Sequence, residues 1–362
     1  MSKIFKIQSS IREYEIEIVK NITSSISGIY SECIIDKNVN NLWKNLSFKA
    51  PIVIDAIETN KTLIVVGGII ESLRERGATR KSVVLSIGGG IVQDVSTFAI
   101  SSYMRGINWV YVPTTLLAMV DSCIGGKSSI NVGKYKNIAG NFYPPQKVIV
   151  DVNFCKTLTE QQLIEGLFEA VKICYAHSEL KFQTYLSLVS FQSSLLINID
   201  LEKIVILSLA TKKEFIEKDE FDNDIRLLLN FGHTFGHALE GASNFKISHG
   251  IAVGLGMLCA HHLSRSLGLL QVRNRKVDDL SDHIFTLLQK VIDLPLMIKD
   301  IDMMVALAKF QSDKKHSTKE YVAILFDNDG SLCRYKFSKN ESNNNFILEA
   351  FNLLAGIENE IQ

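Results

Sequence analysis

Apolar positions in the first 150 residues fall in short runs whose spacing changes from run to run. Over 14–19, apolar and charged residues alternate, the period-two pattern of a half-exposed strand. Segments 31–35, 51–54, 82–87, 109–112 and 147–150 are dominated by apolar and β-branched residues, which predicts strands covered on both faces. Helical spacing follows over 91–103. Buried strands alternating with helices predict a mostly parallel sheet in an α/β unit. One stretch is ambiguous: Thr62-Leu63-Ile64-Val65-Val66-Gly67-Gly68 reads locally as strand plus turn, while Leu63, Val66, Ile70 and Leu73 also fit one helix face.

From Thr159 the period becomes helical. Leu163, Leu167, Ala170 and Val171 share a face, and Thr159 with Gln162 three residues on predicts a capping box. Helices are predicted over 202–218, 234–242, 251–267 and 277–292. Near the end, 321–326 and 333–337 flank Asp327-Asn328-Asp329-Gly330, a hairpin signal, and the polar tract 338–345 is expected to be a surface loop. The pattern predicts an α/β unit over 1–155 and an all-α unit over 156–362.

A chain of 362 residues is long enough for two domains. Its 39 basic and 39 acidic residues cancel, so no global field favours nucleic acid as a partner. No apolar run reaches the roughly 20 residues of a membrane helix, and 1–12 lacks a signal-peptide core. Six dispersed cysteines without a Cys-x-x-Cys pair are expected to be reduced thiols of a cytoplasmic protein. Neutrality overall leaves local imbalance open, and there the chemistry-bearing residues matter.

Gly88-Gly89-Gly90 lies between a buried strand and a helix, where glycines let backbone approach a pyrophosphate and the helix start supplies amide donors. A tight turn is the alternative, since the spacing is not G-x-G-x-x-G. Asp94 follows one turn into that helix, and Asp36 ends a strand as a ribose-binding acid or a turn residue would. His233 and His237 stand at i and i+4, with His249 nearby, so a divalent metal or plain helix-end packing would use them. Glu169, on a largely apolar helix face, is a further ligand, an ion-pair partner of Lys172 or a charge at a solvated edge. Cations beside small residues form a third group: Arg105-Gly106, Gly125-Gly126-Lys127, Lys134, Lys136-Asn137, Lys212, Arg226 with Asn230, and Lys314-Lys315.

Taken in order, Gly88 to Asp94, Val112-Pro113-Thr114-Thr115 through Asp121, Gly125-Gly126-Lys127 to Asn137, and Leu228 to Ala238 around Gly232-His233-Thr234-Phe235-Gly236-His237 resemble the dehydroquinate synthase family of sugar-phosphate cyclases. The resemblance implies a nucleotide-binding α/β domain, a helical metal-binding domain and a cleft between them. It reads 62–76 as helix, after a cofactor-contacting Glu58 and Lys61. It implies Glu169, His233 and His249 as ligands of a divalent metal, Zn or Co, with His237 beside them as a polar partner. NAD would contact Asp36, Glu58, Lys61, Gly89, Gly90, Asp94, Thr114, Thr115, Asp121, Lys136, Phe154 and Thr157. Substrate would meet Arg105, Lys127, Lys172, Lys212, Arg226, Asn230, His237 and Lys315 or Lys314. Arg105 would reach a neighbouring subunit's site, which implies a homodimer. The implied reaction converts a seven-carbon keto-acid sugar phosphate to 3-dehydroquinate and phosphate by transient oxidation with NAD, β-elimination, reduction and intramolecular aldol closure. The chain departs from the family pattern at Gln93, usually Gly, and at Ile251, often Glu, and its N-terminal section is short.

Overall fold

A computed structural model of the chain describes residues 3–24, 26, 30–46, 48–133, 135–192 and 195–361. Lys134, one of the cations above, lies outside them. The chain divides into two compact units, Met1–Thr159 with Leu201–Phe221, and Glu160–Asp200 with Asp222–Gln362. Helix Leu201–Lys218, which the pattern groups with the later helices, therefore belongs to the first unit.

The first unit is built on β1 (Lys3–Ile7), β2 (Tyr14–Ile18), β3 (Glu32–Asp36), helix α1 (Lys37–Leu42), β4 (Ile52–Ile54), α2 (Leu63–Glu75), β5 (Val83–Gly88), α3 (Gly90–Ser102), β6 (Asn108–Pro113), β7 (Ile130–Val132), β8 (Tyr135–Ala139) and β9 (Lys147–Val150). Seven strands pair in the order β1-β2-β9-β6-β5-β3-β4. All neighbours are parallel except β1 and β2. Alternation in β2 has its expected cause: Tyr14, Ile16 and Ile18 are buried, with Glu15 and Glu17 between them half-exposed. Val84, Leu85 and Ile87 of β5 are wholly buried, the signature of a central strand covered on both faces. The ambiguous stretch is helix: the Thr62 hydroxyl caps α2 by accepting from Val65 N at 3.4 Å, and Val66, Ile69 and Leu73 face inward. β7 and β8 form a separate antiparallel pair.

The second unit holds α4 (Glu160–His177), α5 (Glu179–Leu188) and the pair β10 (Val189–Gln192) and β11 (Leu195–Ile199). After α6 (Leu201–Lys218) come α7 (His233–Ala242), α8 (His249–Ser266), α9 (Arg275–Leu288), α10 (Leu294–Lys299) and α11 (Met303–Gln311). The hairpin β12 (Glu320–Phe326) and β13 (Leu332–Ser338) and the final helix α12 (Glu341–Ile361) complete it. The unit is thus mostly helical with two antiparallel hairpins, one of them expected. The tract 338–345 is not a loop throughout. Asn340 caps α12 by accepting from Asn343 N at 2.8 Å, and Ile347, Ala350, Phe351 and Leu354 form the buried stripe that carries the helix. No helix among the described residues is long and apolar enough to cross a membrane.

Candidate active site

Within the second unit, α4, α7 and α8 bring one carboxylate and two imidazoles together. Glu169 Oε1 lies 3.5 Å from His249 Nε2 and 3.8 Å from His233 Nε2. Donors about 2.1 Å from one tetrahedral centre lie about 3.4 Å apart, so these three fit a common cation. The far nitrogen of each ring is already held. His233 Nδ1 donates to the Phe231 carbonyl at 3.1 Å, and Glu240 Oε1 stands 3.4 Å from His249 Nδ1. That pattern orients an imidazole toward a metal and fixes its tautomer. Lys172, one turn along α4 and almost fully buried, pairs with the second Glu169 oxygen. One oxygen of Glu169 thus makes the ion pair with Lys172, while the other faces the two imidazoles.

Charge follows from this arrangement. Burial alone would raise the Glu169 pKa, but Lys172 and His249 outweigh it and hold the carboxyl below its ordinary range. Burial, Lys172 and the other two histidines keep His233 neutral, the form that offers a lone pair. Burial opposes a charge on His249, yet Glu240 and Glu169 raise its pKa even with 37% of its side chain open to solvent. A positive charge is favoured where those carboxylates converge. His237, Glu240 and His249 form a second close group. The first group is the better cation site, because each of its imidazoles keeps Nε2 for the cation while Nδ1 is anchored elsewhere.

A second cluster lies within the first unit. Lys61, 6% exposed, donates from Nζ to Asp94 Oδ2 at 3.0 Å and stands 4.0 Å from Glu58 Oε1. Lys136 Nζ is 3.7 Å from the same Glu58 oxygen. Ser129 N donates to Asp94 Oδ1 at 2.9 Å, and Asn131 Nδ2 donates to Glu58 Oε1 at 2.9 Å. Burial pushes the Asp94 pKa up, opposed by Lys61 and Ser129. This network sits beside the glycine-rich turn, where Gly89 caps α3 without a side chain. A Cβ at Gly88 would meet Val92 Cβ at 2.6 Å, and one at Gly89 would meet Thr115 Cγ2 at 2.9 Å, so close packing demands both glycines.

Two family models match the chain, 3-dehydroquinate synthase N-terminal over residues 51–165 and 3-dehydroquinate synthase C-terminal over 166–316. The chain belongs to the dehydroquinate synthase family. Similar relatives include a 3-dehydroquinate synthase of Ruminiclostridium cellulolyticum, 31% identical over 348 residues, 93% of this chain and 94% of that one. Another, from Francisella tularensis subsp. tularensis, is 40% identical over 278 residues, 75% of each chain. Among solved structures, 2-epi-5-epi-valiolone synthase of Streptomyces hygroscopicus subsp. jinggangensis, with NAD+ and Zn2+ bound, superposes with a TM-score of 0.80 at 23% identity, covering 96% of this chain and 99% of that one. A 2-deoxy-scyllo-inosose synthase complexed with carbaglucose-6-phosphate, NAD+ and Co2+ gives 0.79 at 22%, covering 97% and 99%.

The dehydroquinate synthase motif residues outside the two clusters are spread over both units. Asp36 Oδ1 caps α1, accepting from Asn38 N at 2.6 Å. Thr114 is buried, its N–H donating to the Gly88 carbonyl at 3.1 Å, and Thr115 Oγ1 accepts from Ala118 N at 3.2 Å. Phe154 is a core residue against Trp43, whose Nε1 donates to Thr157 Oγ1 at 3.4 Å. Lys212, also in the first unit, is buried and donates to the Asp121 carbonyl at 2.5 Å while its Nζ lies 2.9 Å from Asp121 Oδ1. Lys127 is exposed, 6.0 Å from the centre of the Phe142 ring. Arg105 is exposed on a turn in which Met104, Arg105 and Gly106 all have positive φ, 50°, 68° and 103°. In the second unit, Arg226 is buried, Asn230 Nδ2 donates to the Leu227 carbonyl at 3.1 Å, and Lys315 pairs with Asp313 at 3.1 Å. His237 faces both other rings, with centroids 5.5 Å from His233 and 5.9 Å from His249. Of the departures, Gln93 is 4% exposed and exchanges two hydrogen bonds with Ser122, of 2.7 and 2.6 Å, while Ile251 is buried in the core. Sequence reasoning missed Glu240, Ser129 and Asn131. The signal for Glu240 was an acid three residues past His237 and seven past His233, on the same helix face as both histidines.

Proposed function

We propose that this protein is a 3-dehydroquinate synthase, converting DAHP to 3-dehydroquinate and phosphate with NAD and a Zn or Co ion, as a cytoplasmic homodimer. The observation that carries the reading is the close Glu169–His233–His249 set, whose buried carboxylate is paired with Lys172, in a chain of this family. The fold neighbours are consistent with the cofactors, since both hold NAD+ and a divalent metal.

Glu169, His233 and His249 would hold the cation, which supplies Lewis acidity to a substrate hydroxyl and carbonyl. NAD, at the Glu58–Lys61–Asp94–Lys136 network and the glycine-rich turn, supplies reversible hydride acceptance, so no net oxidation accompanies turnover. Lys172 keeps Glu169 ionised, and Phe231 and Glu240 orient the two imidazoles. Arg226 and Lys315 supply cationic groups to the substrate's anionic groups, and Asn230 supplies hydrogen bonds. Lys61 fixes the Asp94 carboxylate so that the pair presents a set geometry. The alternatives are another sugar-phosphate cyclase, for which Gln93 and Ile251 leave room, and a metal-dependent glycerol or alcohol dehydrogenase. A panel of sugar phosphates separates the three: turnover of DAHP alone is expected. Preferred turnover of a different sugar phosphate, or steady NADH production from glycerol, would overturn the reading.

A further inference from the structure

We propose that Glu165 is a positioning residue for His249, acting through the hydroxyl of Ser248. The inference rests on the reading of His249 as a metal ligand. Gln161, Glu165 and Glu169 follow one another at four-residue spacing along α4, so the stripe that carries the buried carboxylate also carries Glu165. Ser248 is the residue before α8, with φ −71° and ψ 158°, the conformation of a helix cap. A serine there ordinarily accepts a hydrogen bond from the first turn of its own helix. Ser248 makes no such bond; its hydroxyl donates instead to Glu165 Oε1 at 2.6 Å. Gln161 Nε2 lies 3.4 Å from both Glu165 Oε1 and Ser248 Oγ and closes the triangle.

The residue after His249 is fixed from the same side. A Cβ on Gly250 would lie 2.5 Å from Glu165 Cα and 2.8 Å from the Glu165 carbonyl oxygen, so the two helices touch backbone to backbone. His249 is therefore held between a tied neighbour and a pressed one, both on Glu165. Its ring has Glu240 behind Nδ1 and Glu169 in front of Nε2. With no cap of its own, the start of α8 depends on Glu165 for its placement, and the carboxylate also suits the positive end of that helix.

The test is Co2+ affinity, by competition with a chelator, together with the visible spectrum of the cobalt protein and unfolding of the metal-free chain. E165A and S248A should each weaken Co2+ about tenfold and change the cobalt bands, and the double variant should lose no more than the weaker-binding single one. E165Q, whose amide oxygen still accepts from Ser248, should retain most of the affinity and keeps the proposal testable if E165A fails to fold. Folded E165A with wild-type affinity and spectrum overturns the proposal. So do losses that add in the double variant, or E165Q as weak as E165A. Cobalt affinity unchanged in H249A would instead overturn the ligand reading itself, and this proposal with it.

Discussion

At His249 two carboxylates converge on one imidazole, Glu240 at Nδ1 and Glu169 at Nε2, and this sets what the residue does. His249→Ala removes one of three donors from a site the remaining chain still shapes. It should therefore leave metal content near zero and abolish turnover with far-UV circular dichroism unchanged. Lys61 is a different case, because its loss strands a partner. Lys61→Met leaves Asp94 in a mostly buried network without its cation, and unfolding should show a loss of about 3 kcal/mol, partly recovered by adding Asp94→Asn. The two positions also differ in legibility. Histidines flanked by glycine are conspicuous in the chain, and motif resemblance added the expectation that His233 and His249 join Glu169 as ligands. Ser129 and Asn131 are ordinary polar residues in sequence, and only the close approach of β7 and the residue before it to Glu58 and Asp94 gives them a role.

At the scale of elements, the contact of α4 with α8 is the most constrained. Gly250→Ala places a methyl against Glu165 backbone, which cannot rotate away. The variant should lose roughly 2 kcal/mol and bind cobalt more weakly, as unfolding and chelator competition would report. Packing of α5 against α9 sets a pH dependence. His283, buried and 3.1 Å from the Tyr185 hydroxyl, has its pKa lowered by burial from 6.5 to about 3. The unfolded chain takes up this proton below about pH 6.5 and the folded chain does not. Stability from this residue is therefore present at neutral pH and lost as pH falls from about 6.5 to about 3, by about 1.4 kcal/mol per unit. His283→Gln should flatten that limb of a stability–pH profile, with unfolding followed in urea. Periodicity located nearly every central strand and long helix, since these bury a continuous face. It failed where burial is one-sided or composition misleads. β1 hides in a polar N-terminus, with one of its five residues buried, and α12 begins in a Ser/Asn tract whose first turns are held by a cap.

At the scale of the whole molecule, zero net charge conceals a distribution. Arg105, Lys127 and Lys212 belong to the first unit, and Lys172, Arg226 and Lys315 to the second. Several of these cations are matched by nearby carboxylates, as Lys212 is by Asp121, Lys172 by Glu169 and Lys315 by Asp313. Composition gave no field for nucleic acid but could not reveal this pairing, because it depends on which residues meet, whether remote in sequence, as Lys212 and Asp121, or only two or three positions apart, as Lys315 and Asp313 or Lys172 and Glu169. Membership of α6 in the first unit was hidden for the same reason: its helical period is plain, its packing partner is not. The most direct test of the functional claim is phosphate release from DAHP by the metal-loaded chain, with and without added NAD. One phosphate per dehydroquinate, dependent on NAD and with no net NADH, is the expected result. No phosphate release from metal-replete, NAD-supplied protein would contradict it.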